Sequence, residues 1–208
     1  MRALPKLIAI TSGKEDVRET CRRAGAALRG GLPGLLVREP QWSDREVLRC
    51  VEALRASSDE LWIAVHDRVH LARHEAVDAV HLGFRSLTPA EARALLPADT
   101  LVGFSSHAAD EPSAWEGADY RFFGPVRETP SKEGLLEPTG LEGLAATCAA
   151  DDVPVFALGG LLPEHATDCV EAGAHGAAAL ASVLYAAEPT NAAAEWVREL
   201  ERAGSPQA

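Results

Sequence analysis

A series of short stretches places side chains able to hold anions or move protons directly after an apolar run. Val37-Arg38-Glu39-Pro40 puts a guanidinium beside a carboxylate, and Val65-His66-Asp67-Arg68 sets an imidazole beside another. His81 lies in Val80-His81-Leu82-Gly83, and Phe104-Ser105-Ser106-His107 adds two hydroxyls and a further imidazole. Thr129, Ser131 and Lys132 follow, then Gly159-Gly160 after Leu158, and Ser182 after Ala181. Imidazoles titrate near neutral pH and suit proton transfer. His66 and His107, next to other polar groups, are the better candidates for it, whereas His81 in its apolar run reads equally well as a satisfied interior histidine. Gly159-Gly160 lacks Cβ atoms, so backbone N–H groups there can approach phosphate oxygens, with the Ser182 hydroxyl as a further donor. His66, His70 and His74 recur at helical spacing, but a metal site needs a third ligand and oriented partners. None is evident, and His70 and His74 read as surface residues.

These groups need a scaffold that gathers them. Apolar runs at Leu7–Thr11, Gly34–Glu39, Leu61–Asp67, Ala79–Gly83, Leu101–Ser105, Tyr120–Gly124, Val153–Leu158 and Gly176–Leu180 read as strands. Helical patterns near 15–30, 44–56, 68–75, 88–96, 109–116, 140–150, 163–173 and 189–202 separate them. Ser43-Asp44, Thr88-Pro89 and Pro163 are helix-start signals. Continuous rather than alternating apolar strands fit a parallel sheet covered on both faces. Eight α/β alternations predict a single-domain (β/α)8 TIM barrel over residues 1–203, with 204–208 a loose tail. A doubly wound open sheet is the competing architecture, and it lacks its usual glycine-rich turn after the first strand. In a barrel the functional groups lie at the carboxyl ends of the strands, and phosphate often sits in the loops after strands seven and eight. The long segment from Pro125 to Gly140 reads as a lid carrying Lys132.

At 208 residues, with 47% hydrophobic and 25% charged residues, the chain has material for one core. A formal net charge of −11 opposes binding to nucleic acid or an anionic membrane. No apolar run follows a positively charged start, so a cytoplasmic protein is expected. The four cysteines, scattered without C-x-x-C spacing, read as reduced structural thiols. A homodimer is the expected assembly.

Taken in order, Arg38-Glu39, D-R-V-H-L-A from Asp67, D-A-V-H-L-G from Asp78, V-G-F-S-S-H from Val102, A-D-Y-R-F-F-G-P-V-R-E-T-P-S-K from Ala118 and P-V-F-A-L-G-G from Pro154 resemble the thiamine phosphate synthase/TenI superfamily along nearly the whole chain. The resemblance implies a small phosphorylated thiazole ligand. It further implies that Thr129, Ser131 and the backbone around Gly160, Ala181 and Ser182 hold the phosphate. Two activities exist in the superfamily. A synthase joins an aminopyrimidine diphosphate to thiazole phosphate with Mg2+, and a TenI-like tautomerase moves a proton without metal. Against the synthase pattern the lysine of R-E-K is Pro40, the first residue of an Asn-Asp pair is His66, and a second magnesium aspartate falls at Ser86. Against the tautomerase pattern, the catalytic histidine position is Pro125. The expected reading is a metal-independent thiazole tautomerase, without cofactor, in which His66 works with Glu39 and His107 is a further candidate. Arg38, Asp67, Ser105, Lys132 and Gly159 join the phosphate-holding residues in binding substrate. The alternative is a divergent synthase with Mg2+ on Asp67. A third reading is a non-catalytic phosphate-binding barrel.

Overall fold

The computed structural model describes residues 2–129 and 136–204. Eight parallel strands close into a barrel in chain order: β1 (Leu7–Ile10), β2 (Gly34–Val37), β3 (Trp62–His66), β4 (Ala79–Leu82), β5 (Leu101–Ser106), β6 (Tyr120–Phe123), β7 (Val155–Leu158) and β8 (Gly176–Ala179). Closure is direct, with Leu7, Ile8 and Ala9 paired to Ala177, Ala178 and Ala179. The open-sheet alternative is thereby excluded.

Strand alternation sorts the core into two layers. Ile8, Ile10, Leu36, Trp62, Ala64, Ala79, Tyr120, Phe122, Phe156 and Ala178 fill the barrel interior. Their neighbours Leu35, Val37, Ile63, Val65, Val80 and Val102 face outward onto the helices. Large and small residues interlock inside. A Cβ on Gly103 would lie 2.1 Å from the Tyr120 ring, so the glycine on β5 makes room for the tyrosine on β6. Tyr120 meets Trp62 and Phe156 edge-on at centroid distances of 5.7 and 5.9 Å. This aromatic packing makes the barrel a filled core with a floor beneath its mouth.

The helices described are α1 (Val17–Arg29), α2 (Asp44–Ser57), α3 (Pro89–Arg93), α4 (Gly140–Ala150), α5 (Ala166–Glu171) and α6 (Pro189–Gly204). Asp16 caps α1, while Ser43 with Glu46 and Thr88 with Glu91 form capping boxes on α2 and α3. Such caps contribute about 1 kcal/mol each. The helices expected near 68–75 and 109–116 are instead 3-10 turns, Val69–Arg73 and Pro112–Trp115. They span five and four residues, the short runs in which 3-10 geometry is usual. Gly204, expected in a loose tail, closes α6. Among the described residues no helix is long and apolar enough to cross a membrane.

Candidate functional site

The interior register decides which strand-end groups reach the barrel mouth. His66 continues the inward series Trp62, Ala64 on β3, His81 follows Ala79 on β4, and Ser105 follows Gly103 on β5. Their side chains meet. His81 Nε2 lies 2.8 Å from Ser105 Oγ, and its Nδ1 lies 3.3 Å from the Tyr120 hydroxyl. The His66 and His81 ring centroids are 6.5 Å apart. His81 is therefore the satisfied interior histidine, 1% exposed, and burial holds its pKa well below the usual imidazole value. His66 is half-buried, and burial, reinforced by the nearby Arg38 charge, also lowers its pKa. Both rings are thus biased toward the uncharged form.

Arg38 follows Leu36 in the inward series and is exposed; no acidic partner is found for it among the described residues. Glu39 takes the opposite direction, in the outward register of Leu35 and Val37. Its Oε1 accepts from the Gly13 N–H at 3.2 Å, while Oε2 is buried without a hydrogen-bond partner. Burial raises the Glu39 pKa, opposed by the Thr11 hydroxyl and the Gly13 N–H. The expected partnership of His66 and Glu39 is corrected accordingly: adjacent strand-end positions on β2 point to opposite sides, and Glu39 supports the β1–α1 loop. The same loop holds a residue that motif reading missed. A Cβ on Gly13 would lie 3.2 Å from Pro40 Cδ, so the exposed Lys14 follows directly on a contact with the position where a lysine is lacking. Lys14 N–H donates to Ser12 Oγ, and Ser12 N–H donates to the Tyr185 hydroxyl at 2.8 Å.

Asp67 is the one non-glycine residue with positive φ among those described, at 66°. A side chain rarely adopts this conformation without an external reason, and strain of this kind collects at functional positions. Its carboxylate is exposed and unpaired among the described residues. Arg68 beside it bonds Asp44 and the carbonyls of Glu39 and Trp42, tying the loop after β3 to the loop after β2. The Ser86 hydroxyl accepts from the Gly83 N–H at 2.8 Å and folds back on its own loop. His107 is likewise engaged locally, with Nδ1 3.4 Å from Asp110 and its N–H donating to the same carboxylate.

Across the mouth, the N–H groups of Gly160, Ala181 and Ser182 donate to no acceptor among the described residues. Ser182 Oγ accepts from Trp196 Nε1 at 3.3 Å, so the hydroxyl is partly committed and the backbone carries the donor role. The reason for Gly159-Gly160 also differs from the expected one. A Cβ on Gly159 would lie 2.8 Å from Pro125, and one on Gly160 would lie 2.2 Å from the Glu128 carbonyl. The glycines let the segment after β6 close against the turn after β7, which brings Thr129 toward that turn. Ser131 and Lys132 lie outside the described residues. His70 and His74 pair with Asp44 and Glu52 on the surface. No three His, Cys, Asp or Glu side chains among the described residues are arranged to hold a metal ion.

The sequence profile of the thiamine monophosphate synthase family matches residues 7–183. Over 93% of both chains, the protein is 33% identical to the thiamine-phosphate synthase of Moorella thermoacetica. It is also 33% identical to that of Thermobifida fusca, covering 96% of this chain and 94% of the other. The structure is similar to that of a thiamine phosphate pyrophosphorylase from Pyrococcus furiosus, with a TM-score of 0.82, 27% identity, and coverage of 96% and 97% of the two chains.

Proposed function

The chain belongs to the thiamine monophosphate synthase family, and on that premise we propose that it is a thiamine phosphate synthase rather than the tautomerase that motif reading favoured. In this reading it transfers the aminopyrimidine methyl group of a diphosphate ester to thiazole phosphate and releases pyrophosphate. One observation supports the choice: groups able to hold an anion stand at two places around the mouth. Arg38, with Lys14 on the adjoining loop, stands on the β1–β2 side, and the unspent N–H groups of Gly160, Ala181 and Ser182 stand on the β7–β8 side. A diphosphate and a phosphate call for strongly cationic or donor-rich groups at both places, whereas a tautomerase's single ligand presents only a carboxylate beside its phosphate.

The thiazole phosphate would dock its phosphate on the β7–β8 N–H groups, with its ring above the floor formed by His66, Ser105 and Phe122. The diphosphate would lie toward Arg38, whose guanidinium meets charge developing as the carbon–oxygen bond breaks. His81 fixes the Ser105 hydroxyl under the reacting rings. Bias of His66 toward its uncharged form leaves positive charge on the transferred pyrimidine methyl group unopposed, where an imidazolium would repel it. The donors fit a magnesium ion held chiefly by the diphosphate, since Asp67 is an exposed carboxylate without an ion pair among the described residues and magnesium accepts one or two carboxylates plus phosphate oxygens. When bound, it supplies charge neutralisation to the leaving pyrophosphate.

The tautomerase reading retains one supporting observation, the half-buried, uncharged His66 as a proton carrier beside the ring site. A single assay separates the two. With aminopyrimidine diphosphate, thiazole phosphate and magnesium, the synthase reading expects thiamine phosphate and pyrophosphate in equal amounts. Absence of both products, with faster aromatisation of the thiazole carboxylate phosphate tautomer, overturns it.

A further inference from the structure

The four cysteines are scattered in sequence, but two of them are neighbours in space. Cys21 on α1 and Cys50 on α2 are separated by 29 positions, and their Sγ atoms lie 3.5 Å apart where the two helices pack over β1 and β2. The pair is asymmetric. Cys50 is fully buried, whereas Cys21 is partly open to solvent. Cys148 and Cys169, on α4 and α5, have no thiol hydrogen-bond partner among the described residues. We propose that Cys21 and Cys50 form an oxidative modification site, a reversible dithiol–disulfide pair that a hydroperoxide closes.

The chemistry follows from the asymmetry. The Cys21 thiolate attacks the distal oxygen of the hydroperoxide, the O–O bond breaks, and an alcohol or water leaves with the thiol's proton. The resulting Cys21 sulfenic acid cannot diffuse from its partner. Cys50 sulfur then attacks the Cys21 sulfur, the S–O bond breaks, and the hydroxyl departs as water with the Cys50 proton. Two thiols are oxidised by two electrons, and the peroxide bond is reduced by the same two. The contact with the Cys50 thiol lowers the Cys21 pKa, and the same contact with burial raises that of Cys50. Cys21 is thus the attacking sulfur and Cys50 the resolving one. Closing from 3.5 Å to a disulfide of about 2.05 Å asks the sulfurs to approach by about 1.5 Å. The closed loop would enclose β2 and the strand end bearing Arg38.

The experiment uses the full-length purified chain, reduced, then treated with hydrogen peroxide at a few equivalents. Free thiols are expected to fall from four to two, the mass to drop by about 2 Da, and peptide mapping to recover a Cys21–Cys50 link that dithiothreitol reverses. Tm is expected to rise by roughly 5–10 °C, because a cross-link over this span restricts the unfolded chain. Cys148→Ser and Cys169→Ser proteins should still form the link, and Cys21→Ser should not. An unchanged thiol count, a Cys21 sulfinic acid with Cys50 still free, or a map dominated by any other pair overturns the proposal. The wild-type map decides it even where a serine variant fails to fold.

Discussion

Gly160→Ala tests whether the turn after β7 and the segment after β6 form one phosphate-holding unit. Gly160 has φ +65°, and a Cβ there would stand 2.2 Å from the Glu128 carbonyl and 2.9 Å from Arg127 Cβ. Left-handed backbone costs a non-glycine residue about 1–2 kcal/mol. The steric conflict with main chain forces the 125–129 segment outward, at a further cost of about 1–3 kcal/mol, as for other overpacked sites. The sum, about 2–5 kcal/mol, is a large part of a typical stability of about 5–15 kcal/mol. Gly140 supplies the control: its φ is nearly the same, +68°, and nothing lies within 4 Å of the added Cβ. Gly140→Ala should therefore show the backbone contribution alone, and the difference between the variants in urea unfolding isolates the contact. Displacing the turn also misaims the Gly160 N–H. Losing a hydrogen bond to a charged group, about 1.5–3 kcal/mol, should raise the Kd for thiazole phosphate about 10–150-fold in calorimetric titration. Equal destabilisation of the two variants, together with a Kd within about twofold of wild type, refutes the reasoning.

Three further outcomes follow from the site. Arg38→Gln should raise KM for the aminopyrimidine diphosphate about 10–150-fold while leaving KM for thiazole phosphate nearly unchanged, and a uniform rise in both contradicts the division of the mouth into two ends. Ser105→Ala strips His81 Nε2 of its 2.8 Å partner inside a buried site, so thermal melts should show a loss of about 1–3 kcal/mol beyond any loss of activity. Glu39 has a raised pKa, so its protonated form is favoured by folding: that contribution is fully present below the ordinary carboxylate range and is lost as pH rises through the raised value. Glu39→Gln keeps an acceptor for the Gly13 N–H without the charge, and its stability should fall less than that of wild type between pH 4 and pH 8; parallel pH–stability curves contradict the assignment.

Much of the barrel was legible in the residue order. All eight strands lie where apolar runs predicted, because a strand covered on both faces is apolar along most of its length, and that leaves a nearly continuous signal. The Ser43 and Thr88 helix starts were equally local, each resting on a side chain that bonds a backbone three residues on. Strand-end polar groups could be named from sequence because barrel topology places all of them at one end. The segments after β3 and β5 read as helices from composition, whereas each folds as a single short 3-10 turn.

The residue order thus determined the barrel, the polar residues that follow its strands and the family resemblance that the comparisons support. What it could not determine was direction and proximity. Arg38 and Glu39 are neighbours along the chain, yet the two-residue period of a strand sends one into the mouth and the other under the β1–α1 loop. Gly159 and Gly160 read as room for a phosphate, and only packing shows that Pro125 and Glu128 occupy that room. Gly13 against Pro40, His81 against Ser105, and Cys21 against Cys50 are contacts between different loops, strands or helices. Such contacts exist only once the barrel closes, because spacing along the chain carries no information about distance across it.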